Sequence, residues 1–168
     1  MVVRLGLERN RGALGELDDA FYPLLGYHIG ALAGSRVPLV LGLENRQPSL
    51  DDLKAFGAAF ATTSAAPLFH IAGVTPEALD PTQVLDAETS IPVEKIRLKD
   101  LLNSWRELNS ARDQRVDVVS LGNPHFSLSE FEHLARLCRG RHKHPDVVLA
   151  ITCGRAVLEP ARHAGHIA

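Results

Sequence analysis

The stretch Val116-Asp-Val-Val-Ser-Leu-Gly-Asn-Pro-His-Phe-Ser-Leu-Ser-Glu-Phe131 constrains the fold more than any other part of the chain. Its first half is nearly all Val and Leu, with Asp117 and Ser120 as exceptions, which is the composition of a strand covered on both faces. Gly122-Asn-Pro124 breaks the run. Ser127-Leu-Ser-Glu130 then reads as a capping box, in which the serine oxygen accepts from the N3 amide and the glutamate reaches back to the cap amide. A buried strand that turns directly into a capped helix belongs to an α/β architecture.

The rest of the chain repeats that alternation. Strands are predicted near 37–41, 67–72, 116–121 and 146–152, with Pro38 at the first residues of its strand or on an edge. Helices are predicted from Pro23 to Ala33, Leu50 to Thr63, Asp100 to Ser110, 128–138 and 155–164. Pro23 suits a first turn, where its missing N–H has no partner to lose. Gly34 ends that helix, and Ser49-Leu-Asp-Asp52 caps the next one. Leu101, Leu102, Trp105 and Leu108 recur on one face of the third. Residues 78–90 read as a surface excursion, and Ile91 to Leu98 as a short extended piece. Helices of this length between strands imply right-handed βαβ crossovers and a mostly parallel sheet. The predicted fold is a three-layer α/β arrangement, with residues 1–168 as a single domain.

Composition narrows the partners. The net charge of −2 argues against a dedicated nucleic-acid or membrane-surface binder. No apolar run approaches the roughly 18 residues of a membrane span. Met1 to Gly12 carries charge without the apolar core of a signal peptide, so cytoplasm is the expected location. The two cysteines make no disulfide framework. Cys138, late in an amphipathic helix, is expected to be a small buried hydrophobe. Cys153 stands at a strand end before a glycine.

Open α/β sheets bind ligands outside the carboxyl ends of their strands. In one parallel sheet, Gly42-Leu-Glu-Asn45, His70 with Gly73-Val-Thr-Pro-Glu77, Gly122 to Ser127, and Cys153-Gly-Arg155 all emerge on one edge. His125, Asn123 and Ser127 then gather over a helix N-terminus, where free N–H groups and the positive end of the dipole favour an anion. Ser127 has two readings, a structural cap and a substrate contact. Arg155 opposes the dipole in the first turn of the last helix, and its guanidinium fork matches a carboxylate in two parallel bonds. His125 and His70 are the acid–base candidates. Arg139-Gly-Arg-His-Lys-His144 reads as a solvated loop on the opposite edge. Phosphate-binding glycine motifs, a nucleophilic serine elbow and zinc spacings are all missing from the sequence.

Four ordered motifs carry a resemblance: Tyr22-Pro-Leu-Leu-Gly-Tyr-His-Ile-Gly30, Asp52-Leu-Lys-Ala-Phe-Gly-Ala-Ala59, Leu68-Phe-His-Ile-Ala-Gly-Val-Thr-Pro-Glu-Ala78 and Ser120 to Phe131. Together they resemble the central part of the catalytic large subunit of aconitase X. The resemblance implies a hydro-lyase acting on a small hydroxylated acid, such as cis-3-hydroxy-L-proline or, in archaea, mevalonate 5-phosphate. It implies an iron–sulfur cluster, with the 2Fe-2S form expected, and a small swivelling subunit or domain as partner. Other members read Gly-Cys-Pro-His where this chain has Gly122-Asn-Pro-His125. The cysteine there is the expected cluster ligand, so Asn123 cannot hold a cluster in that way. The change fits the hydroxyproline branch, and Cys153 is left as the candidate metal ligand. The resemblance also implies further large-subunit segments, some bearing cysteines, on either side of this stretch. By itself the chain is expected to be a catalytically silent fragment of a longer subunit. Two readings compete with that one: a non-catalytic α/β module that holds a small carboxylate at the Ser127 and Arg155 helix ends, and a decayed remnant.

Overall fold

The computed structural model describes residues 1–6, 19–85 and 91–167. The chain forms two compact units, Met1–Ser110 and Ala111–Ala168, where a single domain was expected. The alternation of strands and helices is the same for one sheet or two, so element order alone does not reveal the division. The second halves of two expectations, residues 7–12 of the amino-terminal reading and residues 86–90 of the excursion, lie outside the described residues.

The first unit runs β1 (Val2–Leu5), α1 (Phe21–Ala33), β2 (Leu39–Leu41), α2 (Leu50–Thr63), β3 (His70–Ile71), β4 (Val93–Ile96) and α3 (Leu98–Leu108). Its four strands lie in the order β3-β2-β1-β4. Every pairing is parallel, with Val3 opposite Val40 and Glu94, and Val40 opposite Ile71. Strand β1 was not anticipated, because Val2–Leu5 is short and interrupted by Arg4. The extended piece at 91–98 is realised as β4. Pro38 lacks an N–H, so the second strand begins only at Leu39; its carbonyl still accepts from the His70 amide at 2.9 Å.

Helices α1 and α2 pack at close range because Gly26 and Gly30 leave room for it. A Cβ on Gly26 would fall on the Phe56 carbonyl, and one on Gly30 on the Phe60 carbonyl and the Thr63 hydroxyl. The Thr63 hydroxyl donates instead to the Tyr27 carbonyl at 2.8 Å. Gly34, at φ 58°, ends α1 as expected. The Ser49–Asp52 capping box opens α2: Ser49 Oγ accepts from the Asp52 amide at 3.1 Å, and Asp52 accepts from the Ser49 amide at 2.8 Å. Val3, Leu25, Ile29, Val40, Phe56 and Ile71 form the sealed core of this unit. Phe56, Phe60 and Phe69 cluster at its side, with the Phe56 and Phe69 rings tilted at 4.6 Å between centroids and Phe60 edge-on to Phe69.

Helix α3 begins two residues before its expected start, since the Asp100 carboxylate accepts from the Arg97 amide at 2.8 Å. Its expected apolar face is only partly inward. Leu101 is buried, whereas Leu102, Trp105 and Leu108 are exposed. The roll of the helix is set by polar contacts with α1. Ser104 Oγ meets His28 Nδ1 at 2.9 Å, and Tyr27 donates to Glu107 at 3.1 Å.

The second unit runs β5 (Val118–Phe126), α4 (Leu128–Cys138), β6 (Val148–Cys153) and α5 (Arg155–His163). Its two strands pair in parallel, with Val118 opposite Val148 and Leu121 opposite Ile151. Gly122-Asn-Pro-His125 does not terminate β5 as expected. It bulges, and pairing resumes with Phe126 opposite Cys153. Gly122 sits at φ 94° with its α-carbon against the Thr152 backbone, a place only glycine fills without displacement. The Asn123–Pro124 bond is cis. Phe126 and Phe131 meet edge to face at 5.2 Å, and Phe131 and Ala161 are buried. The strand core expected to be covered on both faces is open, with Val118 and Val148 each 57% exposed. Cys138, expected to be buried, is exposed at the end of α4.

Candidate functional site

The carboxyl ends of β5 and β6 gather five of the six predicted site residues. Asn123 and His125 lie on the β5 bulge and are exposed. Ser127 caps α4, Cys153 closes β6 half-buried, and Arg155 opens α5 with its side chain exposed. The register that sets Phe126 opposite Cys153 brings the two turns side by side. Two helices thus start from neighbouring ends of one parallel pair, the arrangement in which α/β sheets place ligands.

The two helix starts differ in what satisfies them. At α4, Ser127 Oγ accepts from the Glu130 amide at 3.1 Å and Glu130 Oε2 accepts from the Ser127 amide at 2.7 Å. Ser127 Oγ also lies 2.9 Å from Ser129 Oγ. The capping box is present as read from the sequence, and it commits the Ser127 hydroxyl to its own helix. At α5 the cap is Gly154, without a side-chain hydrogen bond and without an acidic residue in the first turn. Arg155 therefore stands at a helix start whose dipole no acidic side chain of its own first turn offsets.

His70 belongs to the first unit, so the four strand ends expected on one sheet edge are divided between two sheets. His70 is the first residue of β3, and its Nδ1 is buried with no hydrogen-bond partner among the described residues. In the neighbouring turns, Gly42 at φ 107° donates its amide to both Glu44 carboxylate oxygens at 2.9 Å. The Glu44 side chain lies against Gly73, which turns at φ 69°. Glu44 was not singled out from sequence; its signal is a carboxylate two residues beyond a strand-ending glycine. The His28–Ser104 pair was also missed, because its partners are separated by 76 positions. Burial pushes the His28 imidazole below its ordinary range, against the opposing pull of Asp100 and Glu107.

The basic loop after α4 behaves as a loop. Lys143 Nζ donates to the Val147 carbonyl at 2.8 Å, and His144 Nδ1 accepts from the Asp146 amide at 3.3 Å. Among the described residues no helix is long and apolar enough to cross a membrane. A cluster held by thiolates needs several cysteines. The chain has Cys138 and Cys153, and among the described residues no three His, Cys, Asp or Glu side chains converge to hold a metal. The residues present do not by themselves fit an iron–sulfur cluster.

Comparison with known proteins follows the same division into units. The family model for the aconitase X second domain matches residues 1–106, and that for the third domain matches residues 116–168. The chain is 52% identical over 153 residues to a cis-3-hydroxy-L-proline dehydratase of Hypocrea jecorina, covering 90% of this chain and 26% of that protein. It is 35% identical over 169 residues to the phosphomevalonate dehydratase large subunit of Thermococcus kodakarensis, covering 96% of this chain and 42% of that one. The crystal structure of holo-form aconitase X from Thermococcus kodakaraensis superposes with a TM-score of 0.73 at 30% identity, over 98% of this chain and 39% of that chain. The chain thus spans about a quarter of the Hypocrea jecorina relative and about two fifths of the Thermococcus kodakarensis one. With models of two successive domains matched to its two units, the chain belongs to the aconitase X family.

Proposed function

We propose that this chain supplies the central part of an aconitase X-type hydro-lyase, which removes water from a small hydroxylated acid of the cis-3-hydroxy-L-proline class. The observation that carries the reading is the paired strand end of the second unit, where an imidazole, an amide and a guanidinium flank two helix starts. Loss of water needs a base for a carbon-bound proton and an acid for the departing hydroxyl. His125 is assigned to proton transfer. Arg155 holds the substrate carboxylate in two parallel bonds, aided by the α5 dipole. Asn123 offers an amide to the substrate hydroxyl, and Ser127 shapes the same turn by fixing the start of α4. His70 is the acid–base candidate of the first unit. Cys153 contributes a single thiolate to a metal site that other segments complete. Those segments, and a small subunit of the kind that the archaeal relative's name implies, are the expected partners. The expected substrate is a small carboxylic acid, with neither nucleic acid nor membrane involved.

The test combines the chain with the segments of the fungal relative outside the matched region, under anaerobic iron and sulfide, and follows water loss from cis-3-hydroxy-L-proline. His125→Gln is expected to lower kcat by about 10²–10⁴-fold, the usual contribution of a positioned acid–base group. Arg155→Ala is expected to raise KM, and Arg155→Lys to restore it only in part because the fork is lost. A mixture that binds iron yet never dehydrates the substrate overturns the reading.

The side-chain-free cap of α5 also favours a simpler role, in which the chain holds a carboxylate without turning it over. Calorimetry with cis-3-hydroxy-L-proline separates the two, since binding that Arg155→Ala abolishes, without release of water from the bound acid in the completed mixture, supports the binding module alone.

A further inference from the structure

Open α/β sheets hold ligands outside the carboxyl ends of their strands. In the first unit α1 follows β1 and α2 follows β2, so both helices begin at that edge of the sheet. Helix α1 begins with little to satisfy it. Its cap, Ala20, has no side-chain hydrogen bond, and its first turn has no acidic residue. The amides of Phe21 and Tyr22 have no intrahelical acceptor. Tyr22 stands in that first turn, and helical side chains lean back toward the start of their helix. Its ring packs into the core edge to face with Phe21, and the residue is 6% exposed. Its hydroxyl has no hydrogen-bond partner among the described residues. The unpartnered side-chain atom sealed from water among them is His70 Nδ1, so the Tyr22 oxygen still opens to solvent. A hydroxyl that loses most of its water without gaining a partner costs folding free energy that a phenylalanine would not.

We propose that Tyr22, Arg46 and the start of α1 form an anion site of the first unit, which takes the carboxylate of a small organic acid. Tyr22 is the donor. Burial, with Asp52 adding to it and Arg46 opposing, pushes its phenol above the ordinary range, so the proton stays on at neutral pH. Arg46 supplies the countercharge. It is exposed in the turn after β2, where its amide donates to the Leu43 carbonyl at 2.9 Å, and it has no ion-pair partner among the described residues. The α1 amides and dipole add to both. Asp52, the negative charge beside Tyr22, is held by helix α2: one of its oxygens accepts from the Ser49 amide and the Ser49 hydroxyl, each at 2.8 Å. Exposed Asp19 lies just ahead of α1. With these two carboxylates near a single guanidinium, a singly charged carboxylate is favoured over a phosphate dianion. The inference does not rest on the hydro-lyase reading.

The experiment titrates the full chain with acetate, and separately with inorganic phosphate, and follows the amide resonances of Phe21 and Tyr22. A saturable shift with acetate is expected. Tyr22→Phe, which keeps the ring, should weaken acetate binding about tenfold or more, the worth of a hydrogen bond to a charged group. Arg46→Gln should weaken it to a similar degree, and Arg155→Ala, in the second unit, should leave it unchanged. Because the Tyr22 hydroxyl has no partner to lose, Tyr22→Phe should keep or raise the urea midpoint read by Trp105. A lowered midpoint together with lost binding would make the hydroxyl structural and overturn the proposal. Shifts that grow without saturating, or that survive both Tyr22→Phe and Arg46→Gln, overturn it as well. Phosphate binding tighter than acetate would overturn the carboxylate assignment. Binding lost in Arg155→Ala alone would move the acid to the second unit, which keeps the reading of Arg155 and sinks this one. Binding lost in Tyr22→Phe and Arg46→Gln alone does the reverse.

Discussion

Both units are built from parallel strands and capped helices, but they differ in how the strands are covered. In the first, four strands carry Val3, Val40, Ile71 and Ile96 into a core sealed by Leu25, Ile29 and Phe56. In the second, two strands without a charged residue leave their valines in solvent, and among the described residues burial is confined to Phe131, Ala161 and the glycine of the bulge. Strand composition is thus a statement about the finished sheet, not about what any one segment covers. Local devices such as the Ser49 and Ser127 boxes form equally well in both units. Layering needs more chain than a strand–helix pair contains.

The sharpest way to break this comparison is to shorten one apolar side chain in each unit. Phe56→Ala removes a fully buried ring from between α1 and the other phenylalanines of the cluster, and is expected to cost about 3–5 kcal/mol through lost burial and the cavity left behind. Val118→Ala, at an exposed position, is expected to change stability by no more than about 0.5 kcal/mol. Urea titration followed by Trp105, the single tryptophan, reads the first; exchange at amides 118–121 reads the second. A large effect of Val118→Ala in the chain alone would mean that β5 is already covered.

Much of the first unit was readable from the residues, because caps and helix stops are local. Gly34 ends α1 and Ser49–Asp52 opens α2 where their side chains alone predicted. The division into two units was not readable, since nothing in the spacing of strands says whether β5 joins β1. Strand β1 escaped notice because Val2–Leu5 is only as long as its pairing with β2 and β4 requires. The face of α3 was misjudged for a different reason. Periodicity groups Leu101 with Leu102, Trp105 and Leu108, but the His28–Ser104 bond, made across distant positions, decides which part of the stripe turns inward. At the candidate site, the turn residues and helix starts were legible as types and order. Their sharing of one edge with His70 was not, because it depended on a single sheet.

His28 offers a way to sharpen the contrast through pH. Burial holds its pKa below the ordinary value, so between the folded and unfolded values the unfolded chain binds a proton that the folded chain does not. Stability is therefore complete above the unfolded pKa of about 6.5 and falls as pH drops toward the folded value. The urea midpoint read by Trp105 should decline as the pH falls below about 6.5. His28→Gln should flatten that slope while keeping a side chain able to bond Ser104. An unchanged slope would place the titration elsewhere, with Asp100 and Glu107 as the nearby charges to replace next.

A smaller effect than that of Phe56→Ala concerns the two capping boxes, and it bears on the double reading of Ser127. Each serine accepts from its N3 amide at 3.1 Å, and each is answered by a carboxylate on its own amide. Ser49→Ala is expected to cost about 1 kcal/mol, visible as a lower urea midpoint of the first unit. Ser127→Ala should cost α4 a similar amount, but α4 belongs to a unit with a thin core, where fraying of the first turn does not propagate into a packed layer. The effect should therefore appear as faster exchange at amides 128–131 and not as a shifted midpoint. In the reconstituted enzyme Ser127→Ala should then raise KM by no more than a few-fold, because its hydroxyl is already committed to the Glu130 amide. Ser127→Asp, a cap of equal strength, separates the two readings. It preserves the helix start but places a negative charge beside any bound carboxylate. Weaker substrate binding with a restored cap would assign Ser127 to the site, and unchanged binding would leave it a cap alone.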